Sequence, residues 1–320
     1  MLPFESINSA YNHVFQAGKL SLGMVVPIEH YGQSSVPTMQ YHLARVKLVE
    51  QLGFKAIWIR DVPLHVPTFG DAGQTFDPFT YLGFLAGQTQ DIALGVASIA
   101  LPLHHPVHVA KAAATIDQLS NGRLLLGVAS GDRPSEYPAM NIDFEDREAL
   151  FRDAFQYIRQ ASNDFPTLRD NRYGQLTGQA DILPKPFSAK IPLLITGSSR
   201  QTLAWNAQHG DGWIYYPRHH MQQAYTIAQW RRKIAEYHDF DKPFMQPLYV
   251  ILEENDDFSP QPIQLGFRIG ANHLVQYLQE IQRIGVNHVA INLRFNTRAI
   301  EATLEALASK ILPHFHTTTT

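Results

Sequence analysis

Along the chain, short runs rich in Val, Ile and Leu alternate with longer segments in which apolar positions recur every three to four residues. The runs Leu20–Val26, Phe54–Ile59, Ile92–Ile99, Arg123–Ala129, Pro192–Thr196, Gly212–Tyr216, Met245–Leu252 and His288–Leu293 are mostly continuous in apolar character. Strands covered on both faces read this way. Between them Met39, Leu43, Val46, Val49 and Leu52 fall at helical spacing, as do Leu274, Tyr277, Leu278, Ile281 and Ile284, and Ile300, Leu304, Leu307 and Ile311. Each set marks an amphipathic helix with one buried face. The alternation predicts an α/β chain with a parallel sheet.

A doubly wound open sheet carries a glycine-rich turn after its first strand, whereas here that strand runs into Val26-Pro27-Ile28-Glu29-His30. The prediction is therefore a (β/α)8 barrel, with residues 1–320 as one domain and no interdomain linker. Two stretches break the alternation. Phe165–Ala189 reads as an insertion between the fourth helix and the fifth strand, and Glu253–Gly270, after strand seven, as an irregular lid over the catalytic mouth. Thr317–Thr320 reads as a frayed end.

Composition narrows the partners. With 320 residues, 45% of them apolar, the chain needs no staple to fold, and with no cysteine it has no disulfide, thiolate metal site or cysteine nucleophile. The formal charge of −3 is spread without a long run of either sign, which argues against nucleic acid or a membrane surface and favours a small organic ligand. The start Met1-Leu2-Pro3-Phe4-Glu5 and the lack of any apolar run near ~18 residues lead to a cytoplasmic expectation. A Walker A sequence, a Gly-x-Gly-x-x-Gly turn and His-Glu-x-x-His are all missing, so phosphoryl transfer, Rossmann binding and zincin chemistry lack support.

In such barrels chemistry sits at the carboxyl ends of the strands. Thr196-Gly197-Ser198-Ser199-Arg200 places hydroxyls and backbone N–H groups ahead of a helical segment beginning near Gln201, which suits either a phosphate or a plain helix cap. Gly266–Gly270, after strand seven, is a second phosphate candidate. Ser130 and Gly131 offer an uncluttered surface for a flat ring, or simply tight packing; the serine elbow pattern fails because Val128 and Asp132 stand where glycines are required. His104, His105 and His108 put two imidazoles four apart, but Pro106 suits a first helical turn and places His104 and His105 in the loop before it, so no metal site is expected. Trp58, Phe69, Phe76, Trp213, Tyr215, Tyr216 and Phe295 are candidates to line an apolar pocket.

The run from Ile92 to Asp132 resembles the bacterial luciferase-like monooxygenases. The resemblance is carried by Ile92–Pro102, His105-Pro106, Ala110-Lys111, Asp117–Leu124 and Leu126–Gly131, and continues through Gly197-Ser198-Ser199 and Gln208–Gly212. It implies a flavin-dependent oxidoreductase using reduced FMN and dioxygen on a small organic substrate, or alternatively the deazaflavin F420. A non-catalytic flavin-binding protein is the third reading. It further implies a cis peptide at Ala97-Ser98 behind the flavin, Ser130 and Gly131 beside the ring, and Gly197, Ser198, Ser199 and Thr202 around the phosphate. A flavin reductase as transient partner and a homodimer belong to the same expectation. Where luciferases carry a catalytic histidine this chain has Arg60-Asp61, and where they carry an arginine it has Ser130, so light emission is not expected. Arg60, Asp61 and His105 are the catalytic candidates, with His65 nearby.

Overall fold

In the computed structural model, which describes residues 2–315, the predicted strands form β1 Ser21–Val25, β2 Ala56–Ile59, β3 Ala93–Ala100, β4 Leu124–Ala129, β5 Leu193–Thr196, β6 Gly212–Ile214, β7 Phe244–Leu252 and β8 His288–Asn292. Thr317–Thr320 lies outside the described residues. Neighbours pair in parallel from β1 to β8, and β8 pairs with β1, which closes the barrel. The eight predicted strands thus become one (β/α)8 barrel. Its interior is filled by Val25, Trp58, Leu125, Leu194, Ile214 and Met245. Gly95 is required there, because a Cβ on it would lie 2.4 Å from the Trp58 ring.

Nine helices stand among the described residues: α1 Ser9–Val14, α2 His42–Gln51, α3 Pro78–Ala86, α4 Pro106–Leu119, α5 Arg147–Ala161, α6 Leu203–His209, α7 His220–Ala235, α8 Ala271–Arg283 and α9 Ile300–Lys310. None is long and apolar enough to cross a membrane. Helices α2 to α9 follow β1 to β8 in turn, and their apolar faces bury Val46, Leu82, Val109, Phe151, Leu274 and Leu304 against the outside of the barrel. Helix α1, unforeseen from the pattern, is capped by Asn8, whose side chain accepts from Tyr11 N at 2.9 Å. It carries Tyr11, Val14 and Phe15 onto the barrel's amino-terminal end. Helix α2 begins later than the spacing predicts, since Met39 and Tyr41 have φ of 59° and 57° and cannot continue a right-handed helix.

Both interruptions contain order. The insertion after α5 holds a short hairpin, Thr167–Leu168 against Leu176–Thr177, that packs with Tyr157. The stretch expected to be an irregular lid is instead partly a hairpin, Gln261–Ile263 with Gly266–Ile269, whose second strand pairs in parallel with β7 from Tyr249 to Leu252. Because β6 stops at Ile214 rather than reaching Tyr216, the upper edge of β7 is free, and the hairpin takes it.

Candidate active site

The carboxyl end of β3 shapes the mouth. The Ala97–Ser98 peptide is cis, and the β3–β4 register shifts between Val96 and Ile99. Strand β4 follows the bulge closely: a Cβ on Gly127 would lie 2.2 Å from Val96 O. Beyond it, Ser130 is buried and its carbonyl accepts from the Tyr137 hydroxyl. Gly131 has φ of +73°, and a Cβ on it would lie 2.6 Å from the same hydroxyl. This corner therefore presents backbone rather than side chains.

Two cavities meet above the bulge. A wide cleft of about 420 Å³, open to solvent, runs between the β2, β4 and β5 loops. A narrower chamber of about 100 Å³ descends into the barrel between Val25, Trp58, Ile214, Met245, Pro247 and Ala290. Arg60, Ala97, Thr196 and Tyr216 line both and so mark their junction. The Arg60 Nε and Thr196 Oγ1 atoms are buried without a hydrogen-bond partner. Buried donors left unpaired are costly and often mark a place where something binds.

The rest of the Arg60 guanidinium is anchored. It donates to Asp71 Oδ2 at 2.8 Å and to the Tyr31 hydroxyl at 3.0 Å, and Asp71 also meets Arg294 at 2.9 Å. Burial alone would raise the Asp71 pKa, but Arg60, the Gly73 amide and Arg294 together hold it below its ordinary value. Asp71 escaped the sequence reading, because nothing in spacing links it to Arg294. Asp61 does not point at open space either: its carboxylate accepts from Ala100 N at 3.0 Å and from His104 Nε2 at 2.7 Å. Desolvation works against a charged His104, yet Asp61 outweighs it and leaves the imidazole pKa raised. Glu136, also on the cleft, is buried, and that burial pushes its carboxyl pKa up; Arg133 stands 3.9 Å away.

At the far end of the cleft Gly197, Ser199 and Arg200 all have positive φ, 59°, 45° and 62°, so the chain turns sharply between β5 and α6. A Cβ on Gly197 would meet nothing within 4 Å, while Trp213 Nε1 donates to Gly197 O at 2.6 Å and supports the turn from behind. Ser199 faces inward, its hydroxyl donating to Thr196 O at 2.8 Å, whereas Ser198 is exposed. Arg147, at the start of α5, reaches the same cleft; it is buried, lies 3.5 Å over the Phe144 ring, donates to Phe144 O and meets the exposed Glu145 carboxylate at 3.5 Å. It too was missed, being in a helix with no motif around it.

Of the sequence candidates, Arg60, Asp61, Ala97, Ser98, Ser130, Gly131, Gly197, Ser198 and Ser199 converge on this cleft. Two do not. Thr202 caps α6, accepting from Trp205 N at 3.1 Å, so α6 begins at Leu203 and the cap position is already used by the helix itself. His105 caps α4 and turns its Nε2 to Tyr173 O of the insertion at 3.2 Å, away from the cleft. The alternative phosphate loop, Gly266–Gly270, is committed to pairing: a Cβ on Gly266 would lie 1.8 Å from Tyr249 O. Phe69 and Tyr216 line the cleft, Trp58 and Tyr215 the chamber. Phe295 instead borders a separate hollow by the hairpin, and Phe76 packs on His42 and Tyr81.

A closed barrel with a polar cleft and an apolar chamber at its carboxyl end defines an enzyme class rather than a reaction. The family described as luciferase-like monooxygenase matches residues 20–287, and the chain belongs to that family, a family of oxidoreductases. An uncharacterised protein of Mycobacterium tuberculosis is 30% identical over 191 residues, 55% of this chain and 67% of that one. The alkanal monooxygenase alpha chain of Photorhabdus luminescens is 26% identical over 178 residues, 55% of this chain and 48% of its own length. This chain thus aligns with about half the length of that alkanal monooxygenase chain. Among solved structures, the monooxygenase RslO1 of Streptomyces bottropensis superposes with a TM-score of 0.77 at 16% identity, over 92% of this chain and 100% of that one. An F420-dependent secondary alcohol dehydrogenase gives 0.76 at 16%, over 93% and 100%. The FMN-bound oxygenating constituent of 3,6-diketocamphane monooxygenase from Pseudomonas putida gives 0.71 at 13%, over 92% and 98%. At these identities what is shared is the fold.

Proposed function

We propose that this protein is a flavin-dependent monooxygenase that uses reduced FMN and dioxygen on a small, largely apolar organic substrate. The observation that carries the reading is the junction at Arg60 and Thr196, where a polar cleft with a tight turn at one end opens into an apolar chamber. The residues fit a phosphorylated ring cofactor. Arg60 and Thr196 line the junction where its polar edge would pass, and Gly197 leaves space where a phosphate would approach. Gly197 and Ser198 would hold that phosphate, with Arg147 supplying charge, and Ser130 and Gly131 would lie beside the ring.

When bound, reduced FMN supplies the electrons that activate dioxygen. The chain's own work is positioning and exclusion of water. Trp58, Ile214 and Met245 keep the chamber dry, and Arg60, fixed by Asp71, orients a polar group at the junction. His104, charged more readily because of Asp61, holds a proton beside the cleft. On this reading the reduced cofactor comes from a separate flavin reductase, and the enzyme acts as a cytoplasmic homodimer.

The F420 reading is favoured by the F420-dependent dehydrogenase among the structural neighbours. Titration of the purified protein with FMN, F420 and riboflavin, followed by fluorescence, separates the two. Micromolar binding of FMN with at least tenfold weaker riboflavin supports the proposal. Binding of F420 without FMN moves the chemistry to direct hydride transfer, and binding of neither overturns both.

A further inference from the structure

Most polar groups in the chamber wall are already spent. Arg60 gives its terminal nitrogens to Asp71 and to Tyr31, the Trp58 indole donates to His288, and the Tyr215 hydroxyl accepts from Arg218. Thr196 Oγ1 is sealed inside the wall. Two groups across the barrel from the bulge differ. Asn292, at the end of β8, stands in register beside Tyr249 of β7, and both line the chamber. Asn292 is 5% exposed, and its Oδ1 accepts from Arg294 N at 2.9 Å, which fixes the way the amide faces and leaves Nδ2 without a hydrogen-bond partner among the described residues. The Tyr249 ring is steadied by Phe295, with centroids 5.1 Å apart, and its hydroxyl likewise has no partner among the described residues. Neither atom is sealed off as Thr196 Oγ1 is. Donors set in place beside an apolar cavity and left unpaired are satisfied when a ligand brings an acceptor, and one oxygen with two lone pairs can accept from both. An amide N–H and a phenol are neutral, and Arg60, the one cation lining the chamber among the described residues, already faces Asp71. A carboxylate would bring an uncompensated charge into this cavity, whereas a neutral carbonyl brings none. At about 100 Å³ the chamber is smaller than the roughly 150 Å³ that takes a benzene ring, so the body carrying that oxygen has only a few carbons inside it.

We infer that the Tyr249 hydroxyl and Asn292 Nδ2 form a two-donor site that holds the oxygen of a small neutral ketone, its short hydrocarbon body packed among Val25, Trp58 and Met245. The inference deepens the proposed function and rests on it for taking the chamber, rather than the cleft, as the substrate site. Two fixed donors on adjacent strands orient the ketone as well as bind it.

Butanone, 2-butanol and 2-methyl-1-butene, which has the ketone's shape with CH2 in place of oxygen, serve as probes of the cofactor-free protein. NMR titration gives their affinities and, for butanone with an isotopically labelled carbonyl, the shift of the bound carbonyl carbon. In wild type that carbon should be deshielded relative to butanone dissolved in alkane, as hydrogen bonding requires. Tyr249→Phe removes one oxygen and keeps the ring against Phe295. It should weaken butanone about fivefold, leave the alkene within about twofold and move the bound carbonyl shift toward the alkane value. Asn292→Asp keeps the acceptor for Arg294 N and puts a second acceptor where Nδ2 stood, so the alcohol should gain on the ketone. A purely structural role for either residue would move all three probes together and leave the carbonyl shift unchanged. That result, or a wild-type carbonyl at the alkane value, overturns the inference. FMN is titrated into the same preparations with and without butanone. Binding of both at once supports the assignment, whereas mutual displacement gives the chamber to the cofactor and overturns it. The expected butanone results without any FMN binding leave the donor pair standing and remove the flavin reading instead.

Discussion

The Asp61 carboxylate receives the His104 Nε2–H at 2.7 Å while its side chain is only 2% exposed, so one buried carboxylate orients the nearby imidazole and raises its pKa. The same oxygen accepts from Ala100 N at 3.0 Å and ties the β2 loop to the end of β3. Asp61, a catalytic candidate from the sequence, thereby also fixes the His104 ring.

Asp61→Asn keeps an acceptor for Ala100 N and removes the charge opposite His104. A histidine whose folded pKa is raised contributes stability that is fully present below its unfolded pKa, about 6.5, and is lost as pH rises through the folded value. Wild type should therefore exceed Asp61→Asn by about 1 kcal/mol or more at pH 5.5, and the gap should narrow by pH 8.5. Urea titrations at the two pH values test this, and NMR titration should find the His104 pKa lower in the variant. A pH-independent gap would mean that His104 carries no charge from Asp61.

At the bulge, Gly131→Ala should cost about 1–3 kcal/mol, since alanine meets both a φ of +73° and the Tyr137 hydroxyl at 2.6 Å. The damage should extend to the ligand site, because the same hydroxyl supports Ser130. Thermal melts of the variant with and without FMN check both effects. An unchanged melting temperature would show that the turn relaxes freely.

The turn after β5 yields a sharper test than residue types alone allow. Ser199 is buried and donates to Thr196 O, so its substitution disturbs the turn, whereas the exposed Ser198 Oγ only accepts from Arg200 N at 3.2 Å, a bond that an aspartate carboxylate can also accept. Ser198→Asp and Arg147→Gln should each weaken FMN by about tenfold or more, while riboflavin, which has no phosphate, loses less than twofold. Fluorescence titration of both ligands measures the difference. Parallel losses for the two ligands would place the phosphate elsewhere.

How far the sequence carried this picture depends on the range of the signal. The barrel strands were legible because doubly covered strands are continuous in apolar character, and the period of α2, α8 and α9 is local. The hairpin on β7 was not, since Pro260, Pro262 and Gly266 read as breakers, and its pairing depends on the early end of β6 at Ile214, far back in the chain. The cleft candidates from the strand ends assembled because barrel geometry itself gathers strand ends. Asp71, Arg147, Arg294 and Glu136 stayed hidden because ion pairs and burial are made by tertiary folding between residues with no common spacing. His105 and His104 differ by one position, yet the first caps α4 toward the insertion and the second turns to Asp61. Residue type could not separate them.

Inside the barrel, Trp58 Nε1 donates to His288 Nε2 at 2.8 Å, and His288 Nδ1 lies 2.6 Å from Ser21 Oγ, which in turn donates to Val14 O at 2.7 Å. This order of donors requires a neutral imidazole with its proton on Nδ1. Burial pushes its pKa down to about 3. A histidine depressed in this way stays uncharged in the fold while the unfolded chain protonates near 6.5, so the unfolded state binds more protons between about pH 6.5 and 3, and stability falls as the solution is acidified through that window. The slope from one such group approaches about 1.4 kcal/mol per pH unit. His288→Gln keeps an acceptor for Trp58 and does not titrate. It should be less stable than wild type at pH 8, where the packing loss dominates, and should lose less stability between pH 6.5 and 4.5, so that the two curves converge. Urea unfolding of both proteins at half-unit pH intervals reads the difference directly. Parallel curves would show that His288 is protonated in the folded barrel, and with it that the Trp58–His288 bond is not the one that holds β2 to β8.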